Sequence, residues 1–208
     1  MYALVELGTI TRYFNNPIGF TLNGNQYSAD IFNKWSKSER EAIGVYEVIY
    51  DDTNKKDEKF YTNTNQTITY DSDAGTVTAS FGTATAKTLV DVNWTQSEID
   101  NGDAPTGATT STVKTEGLKT KLIRELKRQV TDNLSETDWY VTRKSEKSTA
   151  IPSNISTHRN AVRTKQSEME TAITNAADTA ALETLYTYTE QDDGTVTRPL
   201  GELPILES

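Results

Sequence analysis

Leu118, Leu122, Ile123, Leu126, Val130 and Leu134 recur at steps of four, one, three, four and four. Such steps line side chains along one face of an α-helix, because a turn takes about 3.6 residues. Lys119, Lys121, Arg124, Lys127 and Arg128 lie beside or opposite the stripe. The segment therefore has one face that must be covered and another that stays wet. A cover follows later in the chain. Ile155, Val162, Met169 and Ala176 are spaced by seven, with Ala172 and Ile173 beside them. This narrow seam suits a single helix–helix contact. It has too few large residues for a strong isolated coiled coil, so we expect the two segments to pack together as an antiparallel helical hairpin.

Between them, Leu134 to Lys165 changes character several times. Ser135-Glu-Thr-Asp138 fits the capping pattern that opens a helix, and Trp139, Tyr140 and Val141 occupy the first turns after it. The run then turns basic, breaks at Ile151-Pro152, and resumes near Ser156, a fair N-cap. Further on, Asp178 is expected to cap a short helix through Leu182, Leu185 and Tyr186. Residues 187–208 hold Asp192-Asp193-Gly194, two prolines and the apolar Leu200, Leu203, Ile205 and Leu206. They read as a turn and an extended tail that docks on something.

The first half has a different period. Short alternating runs flank Leu7-Gly8-Thr9 and Asn23-Gly24-Asn25, both hairpin signals. Ile31, Phe32 and Trp35 form an aromatic cluster. Ser36 with Glu39, or Ser38 with Glu41, fits a capping box for a short helix that ends at Gly44. Val45 to Tyr50 follows as a strand with Val45, Glu47 and Ile49 on one face and Tyr46, Val48 and Tyr50 on the other. Phe60–Asn63, Thr67–Tyr70 and Thr76–Phe81 are further strands, the last two joined through Asp73-Ala74-Gly75. Residues 95–114 are rich in Gly, Thr, Asp and Pro and nearly lack large apolar groups, which reads as a linker. The expected fold class is α+β: a β-rich (α+β) module at 1–94, a linker at 95–114, a helical module at 115–186 and an extended C-terminal tail at 187–208.

Only 35% of the residues are hydrophobic and the mean hydropathy is −0.63. That is poor for a single large core and favours small modules. No cysteine is present, which removes disulfides and thiolate metal sites. The opening MYALVELGTITRYF has no basic region followed by an apolar one, so no secretory leader is expected, and no apolar run reaches membrane-spanning length. We expect no membrane partner.

The net charge of −9 is unevenly spread. Residues 1–113 carry 8 basic and 15 acidic side chains, 114–165 carry 12 and 6, and 166–208 carry 1 and 9. A basic middle between acidic ends is suited to charge-matched contact or to a solvated helix face.

Catalytic signals are missing. The single histidine, His158, has no nucleophile or ligand set at a telling spacing and reads as a surface or capping residue. Asp71 and Asp73, like Asp100, Asn101 and Asp103, begin as a calcium loop would, but neither run reaches the closing glutamate. Turn chemistry accounts for both. Glycine-rich phosphate loops, nucleophile elbows and zincin helices are absent. A glycosidase carboxylate pair would arise only by folding and leave no local mark. We expect no catalytic residue, cofactor or metal. Lys119, Lys121, Arg124, Lys127, Arg128, Arg143, Lys144 and Arg163 are able to meet phosphates, with Trp139 or Tyr140 stacking on bases. Overall acidity and the lack of a known binding module count against nucleic acid.

The run L-x-x-T-D-W-Y-V-x-R-K-x-E from Leu134 to Glu146, then Pro152, Arg159 and Arg163, resembles a segment of tail-associated and tail-fibre-assembly-type proteins of tailed bacteriophages. Met1-Tyr-Ala-Leu-Val5 and Trp35–Val48 (WSKSEREAIGVYEV) are similar to the N-terminal module of such proteins. The chain departs from the fibre-assembly pattern after its second helix, where an Ala/Thr helix and an acidic tail replace an aromatic, Pro-rich finish. The resemblance implies a structural virion protein of the tail, baseplate or fibre-attachment region. The alternatives are an assembly chaperone not retained in the virion and a DNA-contacting head or neck protein. It also implies other tail or fibre proteins as partners, a homo-oligomer, and a location in the virion tail after assembly in the host cytoplasm. Leu122, Leu126, Trp139, Tyr140, Arg143, Arg159 and Arg163 are the expected partner-binding residues.

Overall fold

Two tight turns set the register of the first half of the chain. Strands β1 (Tyr2–Glu6) and β2 (Thr9–Phe14) are joined by Leu7-Gly8, with φ of 52° and 79°. Strands β3 (Phe20–Leu22) and β4 (Asn25–Tyr27) are joined by Asn23-Gly24, with φ of 50° and 79°. Positive φ at both central residues gives a type I′ turn, whose twist matches the paired strands. In this computed structural model, which describes residues 1–206, the chain divides into two units, Met1–Thr85 and the part from Ala86 onward. The fold class is α+β.

In the first unit, α1 (Ile31–Lys34) and α2 (Lys37–Ala42) follow the hairpins. Of the two overlapping capping frames, α2 uses Ser36 and Glu39. The Glu39 N–H donates to Ser36 Oγ at 3.3 Å, and the Ser36 N–H donates to the Glu39 carboxylate at 2.7 Å. Gly44 ends the helix with φ of 81°, and a Cβ there would sit 2.5 Å from the Val5 carbonyl oxygen. Only glycine fits both the turn and the close approach.

The strands β5 (Val45–Asp51), β6 (Tyr61–Thr62), β7 (Gln66–Asp71) and β8 (Thr76–Phe81) follow, then β9 (Thr85–Ala86) at the boundary. The main sheet is curled, in the order β2-β1-β5-β8-β7, antiparallel except for β5 beside β8. Alternation along each strand feeds two cores. Leu4, Phe14, Phe20, Ile31, Phe32 and Val45 form one, under the β3–β4 hairpin and the short helices. Ala3, Val48, Val77 and Ala79 form the other, with Tyr46 and Tyr70 packed against them. The Tyr46 and Tyr70 hydroxyls lie 3.3 Å apart, and that hydrogen bond, with burial, pushes the Tyr46 phenol up to about 12.

The second unit contains β10 (Val92–Asn93), α3 (Gln96–Asp100), β11 (Val113–Thr115), α4 (Leu118–Ser135), α5 (Asp138–Lys147), α6 (Ser153–Asn175), α7 (Thr179–Tyr186), β12 (Thr189–Glu190) and β13 (Val196–Thr197). Two expectations are corrected here. The boundary falls after Thr85, not after residue 94, and residues 95–114 are not a bare linker. Thr95 and Glu98 form a capping box on α3, Lys114 pairs with Glu98, and β11 pairs antiparallel with β10. Polar side-chain bonds order this stretch, and hydropathy does not register them.

The α4 stripe is buried at Leu118, Leu122, Leu126 and Val130, and the α6 seam at Ile155, Val162, Met169 and Ile173. The two helices run antiparallel. Lys119 near the start of α4 donates to the Thr174 carbonyl near the end of α6, and Asn133 near the end of α4 meets His158 near the start of α6. Gly117 opens α4 because the Val90 backbone leaves no room for a Cβ. α6 begins at Ser153 behind Pro152, not at Ser156, whose N–H already bonds the Pro152 carbonyl. Asp178 caps α7 by accepting the Ala181 N–H at 2.7 Å. The expected tail carries the β12–β13 hairpin and docks on its own unit. Leu200 is buried, its N–H bonds the Leu185 carbonyl, and the Pro204 carbonyl accepts from Asn133. Residues 207–208 of that tail lie outside the described residues. No helix among the described residues is long and apolar enough to cross a membrane.

Candidate contact surface

The corner between α4 and α5 is built by buried polar groups. Thr137, not Ser135, is the residue before α5, and Ser135 is the last residue of α4. The Thr137 hydroxyl donates to the Leu134 carbonyl at 2.9 Å and accepts from Arg159 Nη1 at 2.6 Å. Arg159 Nη1 also donates to the Leu134 carbonyl at 2.9 Å, and Nη2 to Asp138 Oδ1 at 2.8 Å. Satisfied in this way, a buried guanidinium ties α6 to the end of α4 and the start of α5. His158, expected at the surface, is buried beside it, with Nε2 3.0 Å from Asn133 Oδ1. The Asn133 amide donates to Pro204, so its oxygen is the acceptor and His158 Nε2 carries the proton.

That corner holds out a helix with no buried residue. Trp139 is 51% exposed. Its ring centroid lies 3.8 Å from that of Tyr140, with the planes inclined at 31°. Arg143, one turn on, places its Cζ 4.7 Å from the Trp139 centroid and 5.1 Å from that of Tyr140. Its Nε is buried against these rings without a hydrogen-bond partner. Lys144 and Lys147 continue the basic character through the last turn, which ends at Ser148 in the left-handed region. The face combines flat aromatic area, a stacked guanidinium and positive charge. Trp, Tyr and Arg are the residues that most often dominate protein–protein contacts.

The expected contact residues thus divide. Trp139, Tyr140 and Arg143 come together on the outside of α5. Leu122 and Leu126 do not join them: at 4% and 3% exposed they are core residues between α4 and α6. Arg159 is buried and acts inside the fold. Arg163 is exposed, and its Nη1 reaches the Arg159 carbonyl at 3.5 Å. An amphipathic stripe marks helix burial equally well whether the cover is another protein or the same chain, and here it is the same chain. The bonds of Thr137 to Arg159 and of Asn133 to His158 leave no mark in local spacing, because these partners lie more than twenty positions away.

Part of the basic middle is matched internally. Arg124 pairs with Glu116, Arg128 with Asp132, Lys127 with Glu170 and Lys114 with Glu98. Asp71 Oδ1 accepts the N–H groups of Asp73 and Ala74, and Asp100 bonds Gln96, as turn and helix chemistry requires. Among the described residues, no group of three His, Cys, Asp or Glu side chains is placed to hold a metal ion. Compared with known family models, curated proteins and solved structures, the chain finds no match.

Proposed function

We propose that this chain is a non-enzymatic structural component of a tailed-phage virion, in the tail, baseplate or fibre-attachment region, that works through protein–protein contact. The observation that carries the contact role is the exposed Trp139, with half-buried Tyr140 and Arg143 packed beside it, on a helix that buries none of its own residues. The phage setting rests on the sequence resemblance. The Arg159 and Thr137 hydrogen bonds tie the start of α5 to α4 and α6, and a helix fixed at its base lowers the ordering cost of binding. The internal pairing of Arg124, Lys127 and Arg128 works against a phosphate-binding role.

Changing Trp139→Ala and Tyr140→Ala together tests the contact. The helical circular dichroism and melting temperature are expected to hold. Binding to the remaining tail proteins is expected to fall by about thirty-fold or more, corresponding to roughly 2 kcal/mol for a central aromatic. If the second unit unfolds instead, the aromatics serve packing and the assignment fails. Mass spectrometry of purified virions tests the setting. A stoichiometric copy number supports a structural component, whereas absence from particles whose fibres require the gene supports an assembly chaperone.

A further inference from the structure

Helical geometry sorts the charges of α5 by side. At about 100° per residue, Trp139, Tyr140, Arg143, Lys144 and Lys147 fall within an arc of roughly 140°. Asp138 lies on the opposite side, where Arg159 holds it, and Glu146 falls at the margin beside Trp139. Every cation of the helix thus stands with both of its rings. Trp139, Lys144 and Lys147 are exposed, and Tyr140 and Arg143 are half-buried. Among the described residues, no carboxylate lies within ion-pair distance of Arg143, Lys144 or Lys147. On α4, by contrast, Arg124, Lys127 and Arg128 each have an acidic partner from the same chain.

Arg143 narrows what can bind here. Its guanidinium lies over the two rings, with Cζ 4.7 and 5.1 Å from their centroids, and its Nε is buried without a partner. A guanidinium stacked in this way keeps its in-plane terminal N–H groups for a planar acceptor with two oxygens. Trp139, Arg143 and Lys147 follow one another at steps of four residues, a rise of about 6 Å each. Alternate side chains of an extended segment project from one side at a spacing of about 7 Å. The two ladders match.

We propose that, granted the contact role of α5 argued above on which this rests, its outer face docks an extended acidic peptide segment. Carboxylates at two alternate positions meet Arg143 and Lys147, and the alternate side chain before them lies against Trp139. Charge complementarity fixes the occupant: the chain leaves these three cations without acidic partners, while it pairs those of α4. A nucleic-acid strand fits less well. Trp139 and Tyr140 give ring area to each other and to the guanidinium, which leaves less open face for a stacked base. The net charge of −9 also opposes a long polyanion more than a short acidic segment.

Amide-resolved NMR of the full chain at low salt reads the docking directly. The probes are a short peptide alternating aspartate and serine, its asparagine–serine counterpart, and an oligothymidylate of equal charge. The aspartate peptide is expected to shift the α5 amides and the Trp139 indole N–H, and the asparagine peptide is not. The shifts are expected to fade as salt is raised to about 0.5 M. R143Q combined with K147Q is expected to weaken the aspartate peptide by about five-fold or more, as two exposed charge pairs allow. R128Q, which removes an exposed cation already paired with Asp132, is expected to bind as wild type. Equal responses to the aspartate and asparagine peptides overturn the proposal, as does an R143Q/K147Q chain that binds like wild type. An oligothymidylate that holds α5 more tightly than the aspartate peptide overturns it too and assigns the face to nucleic acid. Binding to the tail proteins separates the two readings. If W139A/Y140A lowers it and R143Q/K147Q does not, the acidic partner is wrong and the contact role of α5 stands; if neither lowers it, both fall.

Discussion

Arg159→Met is the most informative single change in the second unit. It deletes the guanidinium but keeps a long unbranched stem, so packing loss stays small and polar loss dominates. Arg159 is only 7% exposed and donates to the Leu134 carbonyl, the Thr137 hydroxyl and Asp138 Oδ1. Hydrogen bonds from charged donors contribute about 1.5–3 kcal/mol each when well buried. The third does not reach that, because the Asp138 side chain is 62% exposed and water screens the pair to below about 1 kcal/mol. The change also removes the cost of keeping a cation out of water, which offsets part of the loss. Thr137 keeps its own bond to Leu134, so neither of those two groups is wholly orphaned. The balance is a loss of about 2–3 kcal/mol, below the roughly 3–5 typical of breaking a fully buried pair.

Urea denaturation followed by circular dichroism measures that loss. Amide hydrogen exchange locates it: the end of α4, α5 and the first turns of α6 should lose protection while residues 1–85 keep theirs. Arg163→Met is the control, expected within about 0.5 kcal/mol of wild type because that side chain is exposed. A loss of less than about 1 kcal/mol for Arg159→Met, or equal losses for the two variants, refutes the claim that this guanidinium holds the corner together.

Leu126→Ala should destabilise the second unit by about 2–5 kcal/mol, the usual range for a large-to-small change in a core, as seen in urea melts. A variant of unchanged stability would return Leu126 to a surface role. Glu98 gives a pH test of residues 95–114. Hydrogen bonds from Lys114 first and then from Thr95 hold its carboxyl at about 2, below the ordinary 4.5. With the folded value depressed, its contribution is complete above the unfolded value and is lost as pH falls through about 2. The carboxyl carbon shift of Glu98 should report that midpoint, and Lys114→Met should move it upward. A wild-type midpoint near 4.5 would mean that the α3 cap does not form.

Much of the fold was legible because local rules decided it. The I′ turn at Asn23-Gly24, the Ser36–Glu39 box, the Gly44 stop, the Asp178 cap and the two faces of Val45–Tyr50 each depend on a few adjacent residues, and all appear in the structure. Residues 95–114 were not legible, because Thr95, Glu98 and Lys114 order them through polar bonds while composition marks them as loop. The cap of α6 lies four residues before Ser156 because Pro152 starts the helix as well as Ser156 would.

The candidate surface divides along the same line. By itself the sequence determined that α4 has an apolar face, that α6 has a narrow seam, and that Trp139, Tyr140 and Arg143 lie within one turn of each other. All of these follow from helical periodicity, which is a property of neighbours in the chain. Only the tertiary structure decided what covers each group. Leu122 and Leu126 are claimed by α6, Arg159 is claimed by a threonine and an aspartate more than twenty positions away, and the Trp139 face is left to solvent. The physical reason is that burial is a relation between distant segments. A leucine stripe or an arginine looks the same in sequence whether its own chain or another protein supplies the second half of the contact.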